Sequence, residues 1–362
     1  MRIVSYPNIG EYERVVYNFL DRIIDKDNCK ILRPIKNNKK ILELGEHASP
    51  DNVCTPFKYT IGSMINSLEN GANVIIQLGG GCRFGYYAQV QEKILKDDLN
   101  YDFTFINLYH GNKIDFVGAL KRIKILNPNL SINKVLKELY LTLELLKFTD
   151  YITTYIRDNS CYVDDINEIK KIEKEILEDV LNISSIKEIK AKKEEYKAKI
   201  DNLLTNKEKK LKIGIVGELY SLMDPFSSCY LENDLIEKGY KIKRYTTASY
   251  LLLDKHKSEK KVLKQAQNYL RYKIGADGTE SVAHTLELIN EGYDGVIHIK
   301  PFGCTPEINA MPILKKISED YSFPIMFYTF DTLNSDTGFQ TRVEAFIDML
   351  EMREKKWNIL LE

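Results

Sequence analysis

The chain has 362 residues, its 52 Lys and Arg are balanced by 52 Asp and Glu, and 44% of its side chains are hydrophobic. That length fits two domains and the apolar share excludes wholesale disorder. Zero net charge argues against non-specific nucleic-acid binding, which needs a surplus of positive charge facing phosphates. No stretch of about 18 uncharged apolar residues occurs, so no membrane-spanning helix is expected. The first residues lack the basic start, apolar run and cleavage site of a secretory signal, and a cytoplasmic address is the expectation.

In chain order, residues 2–6 read as a short strand stopped by Pro7, and Tyr12, Val15, Val16, Phe19, Leu20 and Ile23 follow at helical spacing. Residues 41–44 are too short to assign. A helical pattern through Tyr59, Ile61, Met64, Ile65 and Leu68 comes after Cys54-Thr55-Pro56-Phe57. Residues 72–78 read as a buried strand ending in Gly79-Gly80-Gly81, with a helix over 86–95 and a strand over 102–108. Strand, glycine turn, helix, strand is the rhythm of a parallel sheet.

Residues 115–210 change character. Amphipathic helices are expected over 135–148 and 166–180, and residues 185–206 are rich in Lys, Glu and Ile. Their mixed charges fit solvated helix faces, or alternatively a coiled-coil partner surface. Residues 207–210 read as a linker. A second α/β stretch follows, with strands over 211–217, 240–245, 295–299 and 324–328 and helices over 231–238, 281–290 and 341–354. The expected fold class is α/β: two doubly wound parallel-sheet lobes, residues 1–114 and 211–362, joined by a helical segment over 115–210.

Six cysteines need a reason: Cys29, Cys54, Cys82, Cys161, Cys229 and Cys304. Structural disulfides are not expected in a reducing compartment. In open parallel sheets, sites gather at the carboxyl ends of strands. Cys82 follows strand 72–78 after three glycines, Cys304 follows strand 295–299, and Cys229 lies just beyond strand 211–217. Cys54 precedes a helix, where the dipole favours a thiolate, as it does for Cys82. Nearby Gly lets backbone approach a bulky cluster, and Pro holds its shape. No C-x-x-C pair exists, so position alone leaves metal ligation, inert burial and catalytic thiol chemistry open.

Other signals carry less. The glycine turn lacks the full phosphate-binding fingerprints, and no G-x-S-x-G elbow is present. His256, His284 and His298 are widely spaced. His298, inside an apolar strand, reads as a core histidine, while His110 follows strand 102–108 at the site-bearing edge. Asp277-Gly278-Thr279-Glu280 reads as a turn and cap ahead of a helix.

Several segments together resemble one family. They are Val53-Cys54-Thr55-Pro56-Phe57-Lys58, Gly81-Cys82-Arg83-Phe84-Gly85-Tyr86-Tyr87, Gly214-Ile215-Val216-Gly217-Glu218, Asp224-Pro225-Phe226, Phe302-Gly303-Cys304-Thr305-Pro306-Glu307 and Thr341-Arg342-Val343-Glu344-Ala345-Phe346. In this order they resemble the 2-hydroxyacyl-CoA dehydratase components, and within them the branch of CoA-enzyme-activase-related proteins, from the amino terminus to about residue 351.

The resemblance implies Rossmann- or flavodoxin-like lobes with a [4Fe-4S] cluster in the crevice between them, held by Cys54, Cys82 and Cys304. Cys229 is either a fourth ligand or a buried thiol, and Cys29 and Cys161 fall outside the motifs. Some relatives carry a further cysteine just before the segment of Cys82; its absence here disfavours a double-cubane [8Fe-9S] cluster. The resemblance also implies an ATP-dependent iron–sulfur activator that delivers low-potential electrons for radical dehydration of an acyl-CoA. A homologous second subunit or a homodimer is a further expected partner; nucleic acid and membrane are not. Glu218, Arg83 and Glu307 adjoin the crevice as candidates to tune the cluster or orient substrate, and no proton-transfer base is named. The competing functions are a non-catalytic electron-transfer or scaffold subunit, and an ATP-coupled reductase of small molecules with a double-cubane-type cluster.

Overall fold

Two four-stranded parallel sheets carry the chain in the computed structural model, which describes residues 1–77, 84–110, 113–114, 116–205, 211–332 and 336–361. Each sheet belongs to its own compact unit: Met1–Thr149 with Leu177–Ala191, and Asp150–Ile176 with Lys192–Glu362. The α/β class with two parallel-sheet lobes is therefore as the sequence indicated. The linker read over 207–210 lies outside the described residues.

The first unit runs through β1 (Arg2–Ser5), α1 (Glu13–Ile23), β2 (Cys29–Ile31), α2 (Lys39–Ala48), α3 (Thr55–Glu69), β3 (Val74–Gln77), α4 (Phe84–Lys93) and β4 (Thr104–Asn107). A short antiparallel pair, β5 (Tyr109–His110) and β6 (Lys113–Ile114), and α5 (Phe116–Ile123) follow. The strand order is β2-β1-β3-β4. Central β3 is buried along its whole length. Its Val74 and Ile76 join Val4, Ile23 and Ile106 in one core, while Ile75 joins Phe57, Ile61 and Leu95 in another. A strand covered on both faces reads as an unbroken apolar run, as this one does.

Helix α2 occupies the segment too short to assign from sequence. The Asn38 side chain accepts from the Ile41 N–H at 3.1 Å and caps it. It packs tightly on α3: a side-chain carbon on Gly62 would fall 2.0 Å from the Ile41 carbonyl oxygen.

Helices α6 (Ile132–Asn159), α7 (Ile166–Asn182) and α8 (Ile186–Asp201) each contribute residues to both units. The stretch Leu177–Ala191 is bonded into the first unit by Asn18, whose Nδ2 donates to the carbonyls of Leu181 and Ile183, each at 3.0 Å.

The second unit continues with β7 (Lys212–Gly217), α9 (Leu219–Met223), α10 (Leu231–Glu237), β8 (Lys241–Lys243), α11 (Lys255–Gln265), α12 (Gly278–Asn290), β9 (Gly295–Pro301), α13 (Thr305–Asp320), β10 (Ile325–Phe330) and α14 (Asp336–Leu361). Its order, β8-β7-β9-β10, repeats that of the first sheet. Ile213, Ile215, Ile297 and Ile299 pack with Leu235, Phe346 and Leu350 on one face, and Val216 and Val296 pack with Leu288 on the other. A buried triad ties α6 to α10 and to the residue after β8: Arg157 Nε donates to Glu232 at 2.5 Å, and Arg244 pairs with the same carboxylate at 3.0 Å.

Candidate functional site

Cys54 is the residue immediately before α3, with Pro56 in the first turn where no N–H is required. Its thiol does not cap the helix. Instead Sγ lies 3.2 Å from the Tyr87 hydroxyl on α4. The Tyr87 ring meets Phe57 edge-on, centroids 4.8 Å apart. Below them runs a buried polar chain: Gln77 Nε2 donates to Gln91 Oε1 at 2.7 Å, and Gln91 Nε2 donates to the Thr60 hydroxyl at 2.7 Å. This chain ties the end of β3 to α4 and α3. Cys82, Arg83 and the Gly79-Gly80-Gly81 turn, between β3 and α4, lie outside the described residues, as does the side chain of His110.

Cys304 likewise stands immediately before a helix, α13, again followed by Thr and Pro. The chain leaves β9 through Gly303, whose φ of +78° favours glycine. The Cys304 N–H donates to the Pro301 carbonyl at 3.2 Å, and its thiol is unbridged and half-buried. Glu307, in the first turn of α13, is 0% exposed. One carboxyl oxygen accepts from the Ser281 hydroxyl at 3.2 Å, and the other is hydrogen-bonded to His298 Nε2 at 2.7 Å. The Nδ1 of His298 has no hydrogen-bond partner. Lys300 is 4% exposed in the same strand. Burial pulls its ammonium below the usual range, opposed by the neighbouring Cys304 and Glu307.

A second group of ionisable residues gathers at the start of α12. Gly278 packs so closely that a side-chain carbon there would lie 2.6 Å from the Pro306 carbonyl oxygen, which sets α12 against the start of α13. Asp277 occupies the cap position, but its carboxylate does not cap α12. It accepts from the Leu219 N–H at 3.2 Å and pairs with Lys255 at 3.3 Å. Lys255 also reaches Glu280 at 3.2 Å and donates to the Ala276 carbonyl. Burial raises the carboxyls of Asp277 and Glu280. Glu218 caps α9, accepting from the N–H groups of Tyr220 and Ser221 and from the Ser221 hydroxyl at 2.9–3.0 Å. Burial, with the Asp277 charge nearby, pushes its carboxyl up to about 7.

The other cysteines sit apart from these helix starts. Cys29, in β2, donates to the Leu126 carbonyl at 3.3 Å, and burial pushes its thiol up. Cys161 is buried and raised for the same reason. Cys229 lies between α9 and α10 at φ +49° and packs on the second unit's apolar core.

Among the described residues no three His, Cys, Asp or Glu side chains form a metal-binding group. Taken singly, Cys54 and Cys304 fit as thiolate ligands: each is an unbridged, half-buried thiol at the amino end of a helix of 15 or more residues. Sequence reasoning did not single out Tyr87, Lys300 or the pairing of His298 with Glu307. The imidazole of His298 and the ammonium of Lys300 inside the otherwise apolar, fully buried β9 are the signal that pointed there.

The fold and its helix-start thiols define a two-lobed α/β protein with cysteines at the site-bearing edges of parallel sheets. The chain matches the family of the 2-hydroxyglutaryl-CoA dehydratase D-component over residues 162–350, a little over half its length, and belongs to that family. The match takes in Glu218, Cys229, Cys304 and Glu307 and leaves Cys54, Cys82 and Arg83 outside it. No curated protein matches the chain.

Proposed function

We propose that this chain is an iron–sulfur component of a 2-hydroxyacyl-CoA dehydratase-like enzyme, a lyase supplied with electrons by an ATP-dependent activator. The proposed ligands of a [4Fe-4S] cluster are Cys54, Cys82 and Cys304. The observation that carries this reading is Cys304, an unbridged thiol at the start of α13, just after β9 in the family-matched half. Cys229 is left out of the set because, unlike Cys54 and Cys304, it does not occupy the cap position of a helix.

A bound cluster supplies one-electron transfer, the chemistry a 2-hydroxyacyl-CoA needs before its hydroxyl can leave. The chain's own residues supply position. Glu307 fastens the first turn of α13 to β9 and α12, so the Cys304 sulfur is presented from a rigid element. Lys300 places a positive charge near that sulfur, and the polar chain through Gln91 holds α4 against α3 beside Cys54.

Anaerobic purification with iron and acid-labile sulfide analysis tests the reading. The wild type should carry iron and sulfide, Cys304→Ser should lose them and Cys29→Ser should keep them. A wild type with no iron, or with zinc alone, would overturn it. With activator and ATP, turnover should require a 2-hydroxyacyl-CoA; turnover of small molecules without any CoA ester sinks the dehydratase assignment.

A further inference from the structure

The Tyr87 hydroxyl stands 3.2 Å from the Cys54 sulfur. The tyrosine is 9% exposed, and its ring is held edge-on by Phe57, three residues after Cys54 on α3. Two elements are thus locked so that one phenol faces one thiol. A thiol S–H is a weak donor, whereas a thiolate is an acceptor without a proton to give. In a thiolate ligand at position 54 the direction of this bond is therefore fixed, with the phenol donating.

We infer that Tyr87 is a positioning residue that donates a hydrogen bond to the Cys54 thiolate and so tunes whatever metal group that sulfur holds. The inference deepens the proposed function and rests on its assignment of Cys54 as a ligand. Hydrogen bonds to ligand sulfur withdraw electron density and favour the more reduced cluster. Removing the hydroxyl makes reduction harder while leaving the ring, and its contact with Phe57, in place.

The test is Tyr87→Phe in the full chain. Iron and sulfide content should equal that of the wild type. At a fixed poised potential, the reduced-to-oxidised ratio read by electron paramagnetic resonance should fall roughly three- to tenfold, the scale of one ordinary hydrogen bond. An unchanged ratio overturns the inference, because Tyr87 would then matter only for packing; a folded variant that holds no iron overturns it as well, because the hydroxyl would then be needed for binding rather than for tuning. A second readout needs no cluster. In the apo protein, iodoacetamide labelling of Cys54 at fixed pH should slow about two- to threefold, since the lost thiolate fraction is partly offset by greater nucleophilicity. Equal labelling rates overturn the hydrogen bond itself. A wild type lacking iron overturns the ligand assignment instead, and the labelling comparison still decides the role of Tyr87 at the thiol.

Discussion

The same tripeptide, Cys-Thr-Pro, opens α3 in the first unit and α13 in the second, and the two sheets share one strand order. The two cysteines nevertheless stand at different stations. Helix α13 follows the central strand β9, so its counterpart in the first unit is α4, which follows β3; Cys82 falls in the sequence between β3 and α4. Helix α3 precedes its central strand, and its counterpart is α12, where the cap position holds Asp277 rather than a thiol. The surroundings differ in kind as well. Cys54 faces a neutral phenol, while Cys304 sits among buried ionisable groups. A shared local rule, thiol at a helix start with proline behind it, serves both, and the neighbouring side chains set what each thiol experiences.

The comparison is sharpest where charge is buried. Glu307→Ala should cost about 2–4 kcal/mol in chemical unfolding, because it leaves His298 and Ser281 buried without their shared partner. A loss below about 1 kcal/mol would mean that this network does not fix the second helix start. On the neutral side, Gln91→Ala should cost about 1–3 kcal/mol by leaving Gln77 and Thr60 short of a partner. If it costs as much as Glu307→Ala, the contrast between the two settings is broken.

The most gradual effect concerns pH. The folded-state carboxyl of Glu218 lies above its ordinary range, so the folded protein holds this proton more tightly than the unfolded chain does. Its contribution is complete below about pH 4.5 and is lost as pH rises through about 7. Within that window stability should fall by at most about 1.4 kcal/mol per pH unit. Glu218→Gln should flatten the slope of the thermal midpoint against pH, and no comparable change should follow Tyr87→Phe.

How much could be read beforehand follows from burial. β3, β7 and β9 are central, covered on both faces, and show as mainly apolar runs, interrupted in β9 by His298 and Lys300. Edge strand β2 offers three residues, one of them an exposed lysine, too little for any period to show. Helix α11 has Val262 as its lone buried apolar residue beside five lysines, so its periodicity is faint. Helix α13 is masked by Pro306 in its first turn and Pro312 within it. The cysteines were legible through their place after strands and before helices. Tyr87 and Lys300 were not, because a side chain's partner across two elements leaves no trace in local spacing.

The stretch Leu177–Ala191 belongs to the first unit although it follows Asp150–Ile176 of the second. During synthesis the amino-terminal unit therefore has no full set of parts when residue 149 leaves the ribosome. Asn18 must wait for Leu181 and Ile183 to emerge, and until then its hydrogen-bonding groups stay with water or a chaperone. A stop placed between the two segments would release an amino-terminal fragment lacking its own last piece.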